Sequence, residues 1–107
     1  MCGIVGVMDV TGAREISRTL LVRMNEAQHH RGPDAEGVHL EPGMGLGHRR
    51  LSIIDLSTGQ QPLYNEDGSV VVVFNGEIYN FQALIPELAR LGHLFRTRSD
   101  TEVIVHA

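Results

Sequence analysis

Glu66-Asp67-Gly68 is a hairpin turn signal, and the run Val70 to Phe74 (VVVVF) follows it after Ser69. Four β-branched residues and an aromatic strongly favour an extended strand, and a Gly-containing turn ahead of them favours a hairpin. This pairing constrains the fold more than any other feature of the chain, because it commits the middle of the sequence to antiparallel structure. Other segments follow the same style. Gly3 to Met8 (GIVGVM) reads as a buried strand. Gly37 to Leu40, Gly45 to Arg49 and Leu51 to Ile54 read as short strands joined by Gly-containing turns, and His93 to Thr97 (HLFRT) as another.

Helices are interspersed with these strands. From Arg14 to about Gln28, Ile16, Leu20, Met24 and Ala27 fall at spacings of four, four and three, an amphipathic pattern. RGPDAEG then breaks the helix with a loop or tight turn. Asn80 is placed to N-cap a helix that runs to Leu91 and is closed by Gly92. Pro86 inside it is expected to delay its start or kink it. Ser99 and Glu102 match a capping box ahead of the apolar run VIVHA. That helix has space for only about two turns before residue 107, which points to the N-terminal part of a longer chain.

The net charge of −4 gives no footprint for nucleic acid or an anionic membrane. All nine basic residues are Arg, from which nothing functional follows. One cysteine makes no internal disulfide, and no apolar run approaches the ~18 residues of a membrane span. The expectation is a cytoplasmic protein.

The single cysteine stands at position 2. Free cysteine most often fills a core as a small apolar residue. At position 2 it becomes N-terminal if Met1 is removed, which sets an α-amine of reference pKa ~7.7–8.0 beside a thiol of reference pKa ~8.5. One residue then supplies nucleophile and base.

Arg49-Arg50 is either a solvated pair or the source of a guanidinium clamp for a carboxylate. Asn75-Gly76 is either a two-residue hairpin turn or an oxyanion hole built from a side-chain amide and a backbone N–H. Asp100 either supports the start of the last helix or accepts a substrate ammonium. Taken one at a time, these alternatives stay open. The six histidines show no metal-ligand spacing, so no metal is expected, and His29-His30 reads as a charge device at a helix C-terminus. GMGLGH is neither a G-x-G-x-x-G nor a P-loop motif.

MCGIVG, RGPD at 31–34, HRRLSIIDLSTGQQPL at 48–63, FNGEIYN at 74–80 and RSDTE at 98–102 occur in that order. Together they resemble the glutaminase domain of class II glutamine amidotransferases of the asparagine synthetase type. The resemblance implies an α+β, N-terminal nucleophile hydrolase fold, a four-layer αββα sandwich with mostly antiparallel sheets, of which residues 1–107 would be a truncated N-terminal portion. It implies hydrolysis of L-glutamine to glutamate and ammonia. Cys2 would be the nucleophile and its freed amine the base. Arg50 would hold the α-carboxylate, with Leu51, Ser52, Ile53 and Ile54 lining the pocket. Asn75 and Gly76 would form the oxyanion hole, Glu77 would line the site, and Asp100 would take the α-ammonium.

The same resemblance implies a C-terminal synthetase domain that uses ATP and Mg²⁺ to amidate aspartate, and it leaves a homodimer open. No S-G-G-x-D pyrophosphate loop occurs in these residues, so no cofactor is assigned to them. Two alternatives remain: another acceptor, for example in exopolysaccharide biosynthesis, or a catalytically silent binding module.

Overall fold

Residues 1–52 and 59–107 are described by the computed structural model. In chain order the elements are β1 (Gly3–Met8), α1 (Arg18–Glu26), β2 (Ala35–Glu41), β3 (Met44–Arg50), β4 (Leu63–Tyr64), β5 (Val71–Val72), α2 (Phe81–Arg90) and α3 (Glu102–His106). They form an α+β structure with two antiparallel sheets.

The first sheet has the order β1-β3-β2, with β3 central. Its register pairs Gly3 with Arg49 and Met8 with Met44 on one side, and Ala35 with Arg50 and Glu41 with Met44 on the other. MGLGH makes the first five residues of β3, after Gly43 in the turn. Its glycines let α1 come close: Leu21 packs over Gly45, and Asn25 lies over Gly47. Leu21 is fully buried there.

Helix α1 begins at Arg18 with Ser17 as its cap, the Ser17 Oγ accepting from the Leu20 N–H at 3.2 Å. The expected start at Arg14 fails for a local reason. The Asp9 carboxylate takes the N–H groups of Ala13 and Arg14, and the Arg14 carbonyl accepts from Gly43. Those backbone groups are committed before a helix can use them. The buried face is also offset by one residue from the expected one: Leu21 and Asn25 are buried, while Leu20 is 49% exposed. β1 is likewise not a buried strand. It lies at the sheet edge, α1 covers one face, and Ile4 and Met8 on the other are exposed.

The second sheet is the expected hairpin, but shorter. Among the described residues only Leu63–Tyr64 and Val71–Val72 pair in it, around a turn with Gly68 at φ +74°. The Phe74 N–H, expected in a ladder, donates instead to Gln61 Oε1 at 2.6 Å. His93 to Thr97 is not a strand either. Carboxylates take its amides: Leu94 donates to Glu66, and Arg96 and Thr97 donate to Glu102. Leu51 and Ser52 are not in a strand, and Ile53 and Ile54 lie outside the described residues.

Helix α2 runs through Pro86 from the expected start, and Gly92 at φ +103° follows its end. Asn80 occupies the cap position without a side-chain hydrogen bond. Helix α3 packs on the hairpin and on α2, burying Leu88, Val103 and Val105. The expected capping box is displaced. Ser99 Oγ accepts from Thr101, and the Glu102 carboxylate turns to Arg96 and Thr97 rather than to Ser99. The two sheets are joined by His39 on β2 and Tyr64 on β4, whose Nδ1 and hydroxyl lie 3.0 Å apart.

Candidate active site

Cys2 sits one residue ahead of β1, half-buried, where the edge strand begins. Antiparallel pairing of Gly3 with Arg49 brings it beside the end of β3. There the Leu51 N–H donates to the Cys2 Sγ at 3.4 Å, and the thiol faces the Leu51 carbonyl at 3.9 Å. These two contacts orient the sulfur. A cavity of about 420 Å³ opens beside it, lined by Cys2, Gly3, Ile4, Gln28, His30, Arg31 and Asn75. That volume falls within the range of small-molecule sites, ~300–1,000 Å³.

The loop RGPD buttresses this corner. Its Asp34 Oδ2 accepts from the Ser52 N–H at 2.7 Å, and its Asp34 N–H donates to the Arg50 carbonyl at 3.0 Å. Arg31 Nε donates to the Cys2 carbonyl at 3.3 Å. Gly32 backs onto β3 so closely that a Cβ would lie 2.4 Å from the Arg49 carbonyl carbon, so only glycine fits. Sequence reading took this loop as a break after α1 and missed Gln28, His30, Arg31 and Asp34 as parts of the site. The signal available was the RGPD motif itself. His30 faces the cavity rather than serving as a charge device, since α1 ends at Glu26.

The arginine pair divides its labour. Arg49 is buried, ion-paired with its cross-strand partner Glu36, and donates from Nε to the Gly32 carbonyl at 3.1 Å. Arg50 points elsewhere. Its guanidinium and the Ser99 side chain both approach Gly59. Arg50 thus lies near the segment that carries Asp100.

Asn75-Gly76 does not form a hairpin turn. Such a turn needs positive φ at both central residues, and neither has it. Asn75 lines the cavity with Cys2. Among the described residues, nothing accepts from the Asn75 amide or the Gly76 N–H. Gly76 packs on the Phe74 ring, where a Cβ would come within 2.5 Å.

His48 on β3 is buried beside the Phe74 backbone. Burial pushes its imidazole below the ordinary 6.5, the Phe74 backbone opposes that, and the Arg50 charge adds to it. Asp100 sits in the turn ahead of α3, not in its first helical turn, and its Oδ2 accepts from the Ile78 N–H at 2.8 Å. Its other oxygen makes no hydrogen bond among the described residues. Glu77 is exposed and does not line the cavity.

The structure therefore brings Cys2, Leu51 and Asn75 together, holds Ser52 and Arg50 against the RGPD loop, and ties Asp100 to the loop that follows Gly76. Gly76 and Glu77 stay outside the cavity wall, and Ile53 and Ile54 lie outside the described residues.

A family model for the glutamine amidotransferase domain matches residues 1–107. The chain belongs to that family. It is 48% identical over 108 residues to a protein named asparagine synthetase [glutamine-hydrolyzing] 2 from Bacillus subtilis (strain 168), covering 99% of this chain and 14% of that protein. It is 46% identical over 106 residues to a protein of the same name from Oryza sativa subsp. japonica, covering 99% of this chain and 18% of the relative. The Zea mays asparagine synthetase [glutamine-hydrolyzing] is also 46% identical, with the same coverage. The chain thus spans less than a fifth of the length of these relatives.

Proposed function

We propose that this chain carries the glutamine-hydrolysing half of an amidotransferase. The observation that carries this is the Cys2 thiol, oriented by Leu51 at the edge of a cavity it shares with Asn75. Removal of Met1 frees the α-amine of Cys2, which takes the thiol proton. The sulfur adds to the side-chain carboxamide carbon of glutamine. The Asn75 amide and Gly76 N–H, neither committed to a described partner, stabilise the developing oxyanion. Ammonia leaves with the proton held on the amine, a thioester remains on Cys2, and water releases glutamate.

Arg50 receives the substrate carboxylate and Asp100 the ammonium through its open oxygen. By the family resemblance, Leu51 to Ile54 and Glu77 would contact the substrate, Glu77 from outside the cavity beside Cys2. An amino acid requires one cation, one anion and one set of oxyanion donors, and the chain supplies each.

The names of the relatives support asparagine as the final product. Ammonia would then pass to a synthetase domain, where ATP and Mg²⁺ drive amidation of aspartate; no ATP step runs through residues 1–107. The full fold would be the four-layer αββα sandwich, the two antiparallel sheets here belonging to its inner layers. No helix among the described residues is long and apolar enough to cross a membrane, and we place the protein in the cytoplasm.

The test pairs intact mass with a glutaminase assay. Cys2→Ala in the processed chain, and a wild-type chain that retains Met1, should each lose more than the ~10²–10⁴-fold typical of acid–base help alone, because thiol and amine act as one unit. Full activity with Met1 retained contradicts the proposal.

A further inference from the structure

Three side chains far apart in sequence converge away from Cys2. Glu66 lies in the hairpin turn, His93 follows α2, and His106 is on α3. Their ligand atoms all lie within 4.8 Å of one another. Glu66 Oε1 is 2.9 Å from His93 Nδ1 and 3.1 Å from His106 Nδ1.

The His106 imidazole is the informative member. Its side chain is 1% exposed, and its Nε2 faces Glu102 Oε1 at 3.4 Å. Glu102 is itself fixed by the Arg96 and Thr97 N–H groups at 2.7 Å and by the Thr97 hydroxyl at 2.5 Å. Glu102 faces one ring nitrogen and Glu66 the other, Nδ1. Glu66 Oε1 also accepts from the Leu94 N–H at 2.9 Å, which fixes the carboxylate in place. His106 Nδ1 lies at close range to it yet makes no hydrogen bond. A buried imidazole nitrogen and a carboxylate oxygen thus face each other at 3.1 Å with no hydrogen bond at the nitrogen, a geometry that a bound cation would satisfy.

We infer that Glu66, His93 and His106 form a site for a divalent zinc-type cation, with Glu102 as the group that orients His106. Two imidazoles and one carboxylate are a zinc ligand set with one coordination position left open. Mg²⁺ and Ca²⁺ prefer all-oxygen ligands, so the two nitrogens select against them. With bonds of ~2.0–2.1 Å, tetrahedral ligands sit roughly 3.3–3.4 Å apart. The two Glu66 separations widen by a few tenths of an ångström, and the two imidazole nitrogens, within 4.8 Å of each other, adjust to the same spacing. The His93 and Glu66 side chains are 34% and 26% exposed, which gives an entry path from solvent. The ion would tie the hairpin, the end of α2 and α3 together, and by binding only the folded form it would stabilise that half.

The test uses the protein at its full natural length, stripped of metal and dialysed against buffered Zn²⁺, and separately against Co²⁺ for its tetrahedral absorption. One equivalent per chain and a raised melting temperature are expected. His93→Ala and Glu66→Gln, both at partly exposed positions, should each weaken that equivalent at least about tenfold. Glu102→Gln, which keeps all three ligands, should weaken it by ~10–100-fold. Absence of a saturable equivalent overturns the inference. So does an equivalent that survives both ligand substitutions, or a melting temperature that responds to pH but not to Zn²⁺, which would make the cluster an ion-pair network only.

Discussion

In the β1-β3-β2 half the deepest side chains are Leu21, His48 and Asn25; in the hairpin and α3 half they are Val103, Glu102, Thr101 and His106. Both halves bury polar groups, but they satisfy them differently. Asn25 donates to the His48 carbonyl at 3.3 Å, while Asn25 Oδ1 and His48 Nε2 find no partner among the described residues. Glu102 is an anion that accepts from two backbone amides and a hydroxyl and faces His106. The half that carries Cys2 therefore leaves buried atoms of Asn25, His39 and His48 without a hydrogen bond, at ~1–3 kcal/mol each. The other half surrounds the Glu102 carboxylate with donors and leaves His106 Nδ1 as its one such atom among the described residues. Unsatisfied atoms are thus concentrated in the half with the candidate site.

The largest expected effect is in the apolar core. Leu21→Ala should destabilise by about 2–5 kcal/mol, because Leu21 fills the space over Gly45 and α1 cannot follow it inward. Leu88→Ala, at 8% exposure on the rim of the other core, should fall at the lower end of that range. Urea unfolding of both variants measures this, and equal losses would remove the distinction.

Acid should separate the halves next. The folded His48 titrates below 6.5, so between its folded value and 6.5 the unfolded chain binds more proton. Stability from His48 is complete above 6.5 and declines as pH falls below it. Glu66 runs from an ordinary 4.5 to about 2 in the fold, so its contribution is complete above 4.5 and lost only toward 2. Glu102 moves the same way. Burial raises it, and the Thr97 hydroxyl with the Arg96 and Thr97 amides outweighs that. Amide exchange corrected for intrinsic rates should show β3 and α1 losing protection between pH 6.5 and 4.5 while α3 holds. Simultaneous loss would break the comparison.

The smallest effect concerns caps. Ser17→Ala removes a hydrogen bond to Leu20 and should cost about 1 kcal/mol. Asn80→Ala removes no side-chain cap bond and should cost only ~0.3 kcal/mol. Thermal melts of the two variants give the difference directly.

Local signals located β1, the pairing of β2 with β3, the hairpin turn and α2 closely, because alternation, Gly turns and caps act over a few residues. They failed where a distant side chain claimed the backbone. Asp9 delays α1, Gln61 shortens β5, and Glu66 with Glu102 replaces a strand at 93–97. Of the residues named from the sequence, Cys2, Leu51 and Asn75 come together in space, where motif and position coincide. Asp34 and Arg31 were not singled out, since a Pro-Gly loop carries no periodic pattern that shows what it holds. The convergence of Glu66, His93 and His106 was invisible for the same reason: three elements bring together residues that have no ligand spacing in the chain.

The central claim is that Cys2, freed of Met1, is the nucleophile for glutamine. An electrophilic diazoketone analogue of glutamine, followed by intact mass and peptide mapping, tests it most directly. One adduct per chain is expected, on the Cys2 sulfur of chains lacking Met1, with glutaminase activity lost in proportion and glutamine protecting against labelling. Labelling at another residue, or labelled chains that keep their activity, would contradict it.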